Sequence, residues 1–264
     1  VTTTVDGLAE RLPQAFRARR WLLADRDRWR DARVLGDDRA VVLVRSADIG
    51  DVVLGVGDAD AVAALVRDLA GERAAAGGPD LAWMTLPRAT VLDAVTLGAL
   101  GVAPYSTWDR MSTDVPPPPV PGEDRVERLD ASAADEVVAC LARANPGSHA
   151  RPGGPDDAGW WGVHADGRLV GVIGAADRLG ALDGRRSWHL HGLGVVPDAR
   201  GQGLGAALTA VALRAGRAAG LAWVSLGLYA DNAVARRLYL RLGMSVDEEN
   251  ASYAAPGYDG SWRR

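Results

Sequence analysis

The sequence predicts an α/β protein of two successive units, each a mixed, mostly antiparallel sheet flanked by helices. Three observations carry this. Short runs rich in Val and Leu alternate with longer runs of helical period along the whole chain. Val115–Pro121 (VPPPPVP) can join neither a helix interior nor a central strand, and reads as a stiff spacer. Three blocks then recur in order on either side of it: Leu54-Gly55-Val56 with Leu193-Gly194-Val195, Leu81-Ala82-Trp83 with Leu221-Ala222-Trp223, and Leu100-Gly101-Val102 with Leu242-Gly243-Met244. Their offset drifts only by loop-sized steps, as a diverged internal duplication produces. The expected units are residues 1–115 and 122–264, with the Pro-rich linker at 116–121.

In chain order, residues 8–23 predict an amphipathic helix broken near Pro13. A hairpin about Gly36-Asp37-Asp38 and a third strand, DVVLGVGD, follow the turn logic of β-branched runs bounded by Gly and Asp; Ile49-Gly50 turns into that strand. Residues 61–75 have helical period and end in Gly77-Gly78. LAWMTL reads as a buried strand, residues 91–100 as a helix ending at Gly101, and STWDRMSTD as a further strand. The second half opens with the strand RVERLD and a helix over 133–144, capped from the Asp130/Ser132 region. After a Gly/Pro/His loop, residues 160–164 and 168–175 form a hairpin about Asp166-Gly167. SWHLHGLGVV is the next strand; a helix over 206–219, the strand LAWVSLGLY, a helix over 232–242 and closing strands over 244–253 complete the chain.

Composition narrows the function classes. Net charge is −4 with a sequence pI of about 5.6, which points to neither nucleic acid nor an anionic membrane as the main partner. No apolar run approaches the ~20 residues of a membrane span and no signal-peptide pattern is present, so a cytoplasmic protein is expected. One cysteine, Cys140, excludes an internal disulfide and is expected to pack in a helix; with four scattered histidines, no metal site is expected. The 30 basic residues are all arginine, so no lysine can act as nucleophile.

The stretch Leu193–Gly205 (LGVVPDARGQGLG) organises the second half. Glycines at 201, 203 and 205 clear the start of a helix, where backbone N–H groups lack partners and the helix dipole is positive; Arg200 adds charge beside them. The physical reading is a pyrophosphate cradle. A triphosphatase loop needs Gly-Lys-Ser/Thr and is excluded by the absence of lysine, and a dinucleotide fingerprint fails at Leu208.

What remains, Arg-x-x-Gly-x-Gly after a strand with Val two residues before a Pro, resembles the coenzyme A loop of the GNAT N-acetyltransferase superfamily. The resemblance implies acetyl-CoA as cofactor, held by Arg200, Gly201, Gln202, Gly203, Leu204, Gly205 and Ala206. Leu193, Gly194 and Val195 would pair with pantetheine amides as an added strand does, and an N–H near Val195 would polarise the thioester carbonyl. NAVARRLYLRLGM is similar to the family's Asn-x-x-Ala-x-x-x-Tyr stretch; Asn232 and Tyr239 lie seven residues apart, two turns along one helix face, and Tyr239 would protonate the thiolate. His189 and His191 share a strand face, expected to include Leu193 and Val195, and resemble the His-x-His strand of arylalkylamine N-acetyltransferases, whose histidines relay a proton from the amine. Where many protein N-terminal acetyltransferases of the superfamily carry glutamate, this chain has Gly227, which moves the base role to the histidines. The first half has DAVAAL in place of RGQGLG, so the N-terminal copy is expected to be a degenerate scaffold, in a layout similar to mycothiol-synthase-like proteins. Together these imply acetyl transfer to a primary amine of a small molecule by a monomer or homodimer. The alternatives are a non-catalytic acyl-CoA sensor and a protein or peptide acetyltransferase.

Overall fold

The computed structural model describes residues 7–48, 50–76 and 81–258. They group into two compact units. Unit 1 takes in the described residues of Val1–Asp109, Tyr229–Asp231 and Glu248–Arg264, and unit 2 takes in Arg110–Leu228 and Asn232–Asp247. The Pro-rich stretch thus lies within unit 2, while Glu248–Tyr258 lie within unit 1.

Unit 1 begins with helix α1 (Gly7–Arg11), a 3₁₀ turn (Gln14–Phe16) and helix α2 (Arg20–Ala24). The break falls at Pro13, which has no N–H to give and keeps the preceding residue out of the helical region. Strands β1 (Arg33–Gly36), β2 (Ala40–Ala47) and β3 (Gly50–Gly57) pair antiparallel in sequence. Helix α3 (Ala59–Ala76) then crosses to β4 (Leu81–Pro87), which runs parallel to β3. Ile49 and the expected helix end at Gly77-Gly78 lie outside the described residues. Helix α4 (Ala94–Leu100) starts three residues later than the expected 91, because the Asp93 side chain accepts the Thr96 N–H at 2.7 Å and caps the helix there. Strand β5 (Ala103–Thr113) follows, its last four residues belonging to unit 2.

The near-continuous apolar runs of β2 and β3 are buried on both faces. Val41, Leu43, Leu54 and Val56 pack with Phe16, Leu22 and Trp29 on one side; Val42 and Val53 pack with Val62, Val66, Leu69 and Met84 of α3 and β4 on the other. The fifth strand in the order is β11 (Ser245–Ala254), the last among the described residues. Its Asn250–Ala254 segment pairs antiparallel with β4, Asn250 opposite Pro87 and Ala254 opposite Trp83.

Unit 2 repeats this connectivity. After the short β6 (Glu127–Leu129) and helix α5 (Ala134–Ala144) come β7 (Asp157–Ala165), β8 (Arg168–Arg178) and β9 (Ser187–Val195), antiparallel in sequence. Helix α6 (Leu204–Ala218) crosses to β10 (Trp223–Tyr229), which is parallel to β9; helix α7 (Ala233–Arg241) leads to the start of β11. The strand order is β10-β9-β8-β7-β6. Its core joins Val137, Cys140 and Leu141 of α5, Trp160 and Trp161 of β7, Ile173 of β8 and Leu204, Leu208 and Leu213 of α6. Cys140 is buried there, as expected of a packing residue. No helix among the described residues is long and apolar enough to cross a membrane.

Candidate active site

Strands β9 and β10 fork. Their pairing runs from Ser187 opposite Trp223 to Leu190 opposite Leu226 and ends there. Beyond it, His191–Val195 keep only β8 as neighbour. The fork coincides with an irregularity in β9. Gly174 lies opposite His191 and Val172 opposite Gly194, so β9 holds one extra residue, accommodated by Gly192 at φ +62°. A bulge of this kind reverses the alternation. His189 and His191 share a face, as expected, and Gly194 joins them; Val195 is turned to the opposite face. Side-chain packing agrees: a Cβ at Gly194 would meet Ala144 and Leu141 of α5, whereas Gly171, opposite Val195, faces Leu208 of α6. The expectation that Val195 shares the histidine face is therefore corrected.

The same register orients the backbone. The Val196 N–H bonds the Val170 carbonyl at 2.9 Å, so in an antiparallel ladder the Val195 N–H and C=O point away from β8, into the fork. The carbonyl is taken by Arg200 Nε at 3.0 Å, while a second guanidinium nitrogen of Arg200 donates to Ala144 O, also at 3.0 Å. Arg200 thus straps the end of α5, the end of β9 and the glycine turn together. The sequence places its guanidinium beside the glycine amides; the structure points two of its donors at carbonyls instead.

The turn itself is built as an anion nest. Gly201 and Gly203 sit at φ +78° and +77°, conformations that glycine alone adopts without strain, with open space around each Cβ position. Gly203 is the N-cap of α6 and no side chain caps it. Among the described residues, the amides of Gly201, Gln202, Gly203, Leu204 and Gly205 have no hydrogen-bond partner, and only from Ala206 do bonds begin, to Gly203 O at 3.0 Å. Unit 1 differs at the corresponding places. The Asp58 carboxylate accepts the Ala61 N–H at 2.9 Å, so the head of α3 carries its own anion. A Cβ at Gly55 would meet Leu86 and Val62 at 2.8 Å.

His189 lies opposite Ser225 of β10, and its Nδ1 is 3.2 Å from the Ser225 hydroxyl. Burial, then the Arg110 and Arg178 guanidinium groups and His191, hold its pKa well below 6.5. His191 is set edge-on against Trp160, ring centres 5.1 Å apart, and burial again lowers its pKa, opposed by Asp157 and assisted by Arg178. Trp160 donates its indole N–H to Asp157 at 3.0 Å. Gly174 makes room for both rings: a Cβ there would stand 2.7 Å from His191 Cε1 and 2.8 Å from Trp160. Both histidines are thus neutral near pH 7.

Tyr239 is buried on α7, and among the described residues its hydroxyl has no hydrogen-bond partner. Burial pushes its pKa up to about 12, so it keeps its proton. Asn232 is the exposed N-cap of the same helix, its side-chain oxygen accepting the Ala235 N–H at 3.0 Å. Its side chain is thereby committed to starting α7. Ser225, Asp157 and Gly174 carry no motif in the sequence. The only signal was their register opposite or beside the histidines, which pairing alone reveals.

A forked parallel strand pair, an uncapped glycine nest at the following helix and neutral histidines on the strand together offer an edge to which an extended chain can add and a seat for an anion. Residues 131–244 match the Acetyltransferase (GNAT) family. The mycothiol acetyltransferase of Nocardiopsis dassonvillei is 38% identical over 110 residues, covering 42% of this chain and 30% of that protein. That of Cellulomonas flavigena is 31% identical over 185 residues, 61% of this chain and 53% of its own length. The chain therefore spans about a third to a half of these relatives. The fold is shared with a GCN5-related N-acetyltransferase from Kribbella flavida (TM-score 0.51, 18% identity, 98% of each chain). A second, from Sphaerobacter thermophilus, gives TM-score 0.53 at 18% identity over 84% of this chain and 78% of that one.

Proposed function

We propose that unit 2 transfers an acetyl group from acetyl-CoA to the primary amine of a small molecule, by direct attack and without a covalent enzyme intermediate. The observation that carries this is the pairing of two features at one end of the sheet: a Val195 N–H that faces into the fork beside a carbonyl held by Arg200, and, among the described residues, five unpartnered amides at the head of α6. They suit the two ends of one ligand, an amide-bearing chain that can add to a strand edge and a pyrophosphate that can sit on a helix N-terminus. Gly201–Gly205 would hold the phosphates and Leu193–Val195 the chain. When bound, acetyl-CoA supplies an activated thioester carbonyl.

The protein's own groups do the rest. His189 or His191, neutral near pH 7, takes a proton from the ammonium directly or through water, freeing the lone pair that attacks. The Val195 N–H is aimed into the fork, where it can donate to the oxyanion that forms as the carbonyl carbon becomes tetrahedral. With acetyl-CoA bound, Tyr239 would donate its proton to the leaving thiolate, and the second proton that the nitrogen sheds on becoming an amide would return to Tyr239 through water. Unit 1, with a carboxylate at its own helix head and Leu86 and Val62 packed against Gly55, serves as a scaffold. The similarity to mycothiol acetyltransferases fits an amine acceptor of small-molecule size. Calorimetric titration with acetyl-CoA tests the reading: one site per chain supports it, and no binding by the folded protein overturns it. A panel of primary amines, scored by release of free coenzyme A thiol, then tests the acceptor class.

A further inference from the structure

At the point where β9 and β10 part, Ser225 holds three neighbours around one hydroxyl. Its oxygen is 3.2 Å from the Trp188 carbonyl, 3.2 Å from His189 Nδ1 and 3.4 Å from an Arg110 guanidinium nitrogen, and the side chain is 1% exposed. A carbonyl only accepts, a guanidinium only donates, and a hydroxyl has a single proton. If that proton goes to Trp188 O, the hydroxyl offers only lone pairs to its two other neighbours. His189 must then be the donor at Nδ1.

We infer that Ser225 is a positioning residue, fixing His189 as the tautomer with its proton on Nδ1 and its lone pair on Nε2. This deepens the proposed function, on which the role of His189 as base rests; the tautomer itself does not depend on it. The consequence is chemical. The bond to Ser225 anchors one edge of the ring, and among the described residues Nε2 has no protein partner, so it is the nitrogen open to an ammonium proton. The charged and titratable groups facing the ring are Arg110 from β5, Arg178 from β8 and His191 from β9. The two guanidinium groups disfavour a second proton, which keeps the lone pair available. Ser225 sits one position before the last paired residues of the fork, so the same hydroxyl also ties the ring to the point at which the strands diverge.

The test is a long-range proton–nitrogen correlation spectrum of the histidine side chains in the full-length protein, without ligand, from pH 6 to pH 8. The expected result is a protonated Nδ1 and an unprotonated Nε2 at His189 across the range. A protonated Nε2 in the wild type overturns the inference without any variant. In Ser225→Ala the Nδ1–H preference should be lost, with kcat falling about 10- to 100-fold and KM for acetyl-CoA unchanged, since the nest is untouched. Ser225→Thr, which keeps the hydroxyl, should restore the tautomer. An unchanged His189 spectrum in folded Ser225→Ala also overturns it. A wild type with the expected tautomer but no transfer to any amine would refute the proposed function and leave this assignment standing.

Discussion

Replacing Gly203 by aspartate puts a carboxylate at the N-cap of α6, the place where Asp58 already stands at the head of α3. Two effects follow and can be separated. The backbone at φ +77° is strained for any residue with a Cβ, at a cost of about 1–2 kcal/mol, while the open space around that Cβ adds no clash. The charge acts on the ligand. For a carboxylate and a phosphate charge about 5 Å apart, Coulomb's law gives about 0.8 kcal/mol in water and about 3 kcal/mol at an effective dielectric of about 20. Two phosphate charges double this, so the lower bound is about 1.7 kcal/mol, an affinity loss of about 15-fold or more. Gly203→Ala carries the strain without the charge and should lose much less. The assay is calorimetric titration with acetyl-CoA beside a thermal melt of each variant. Binding by Gly203→Asp within about threefold of wild type would refute the nest as the phosphate site. Equal losses in the two variants would show that strain, not charge, is responsible.

Tyr239→Phe removes a hydroxyl with no partner among the described residues, so the melting temperature should hardly move while kcat falls about 100-fold or more; unchanged turnover would remove Tyr239 from the mechanism. Gly174→Ala forces a methyl to within 2.7 Å of His191 and 2.8 Å of Trp160, and should destabilise unit 2 by about 1–3 kcal/mol in chemical denaturation as well as lowering turnover. His164 on β7 is held by Glu127 at 2.5 Å and Glu136 at 3.2 Å; burial works against its charge, but the two carboxylates raise its pKa above 6.5. A raised histidine contributes stability that is full below 6.5 and lost as pH rises through the folded value. His164→Gln should therefore lower the melting temperature at pH 5.5 more than at pH 9, and equal shifts at both would refute the pairing. His189 has the opposite sign: its pKa is depressed, so its contribution is present above 6.5 and lost as pH falls below it, and denaturation profiles of His189→Gln should converge on wild type at low pH.

Much of the architecture could be read from local chemistry. Pro13 broke the first helix, the Asp166-Gly167 turn joined β7 to β8, and Val-rich runs became strands buried on both faces. The glycine turn was legible because a backbone nest announces itself by the side chains it lacks. Other features were hidden because they depend on partners far away in sequence. One extra residue in β9 is invisible until β8 supplies the register, yet it decides that Val195 leaves the histidine face. Arg200 looks like a phosphate ligand in isolation; the carbonyls it serves belong to Val195 and Ala144, the latter 56 residues away. Asn232 was read with the chemistry of its motif, and the structure commits its side chain to a helix cap. Ser225 carries no signature at all, since one serine in a strand means nothing until a histidine lies opposite.

The placement of Asn250–Ala254 against β4 has a bearing on how the protein is made. While the chain leaves the ribosome, β4 waits with one edge bare until nearly all of unit 2 has been synthesised. Unit 1 cannot mature as a finished object before its successor, and the order of synthesis is not the order of completion. Anyone expressing residues 122–264 alone would carry away a strand cut off from its mate, and leave behind a sheet with its border open. Proteolysis at the Pro-rich stretch should for the same reason yield two fragments that stay associated under native conditions, each holding a piece the other needs.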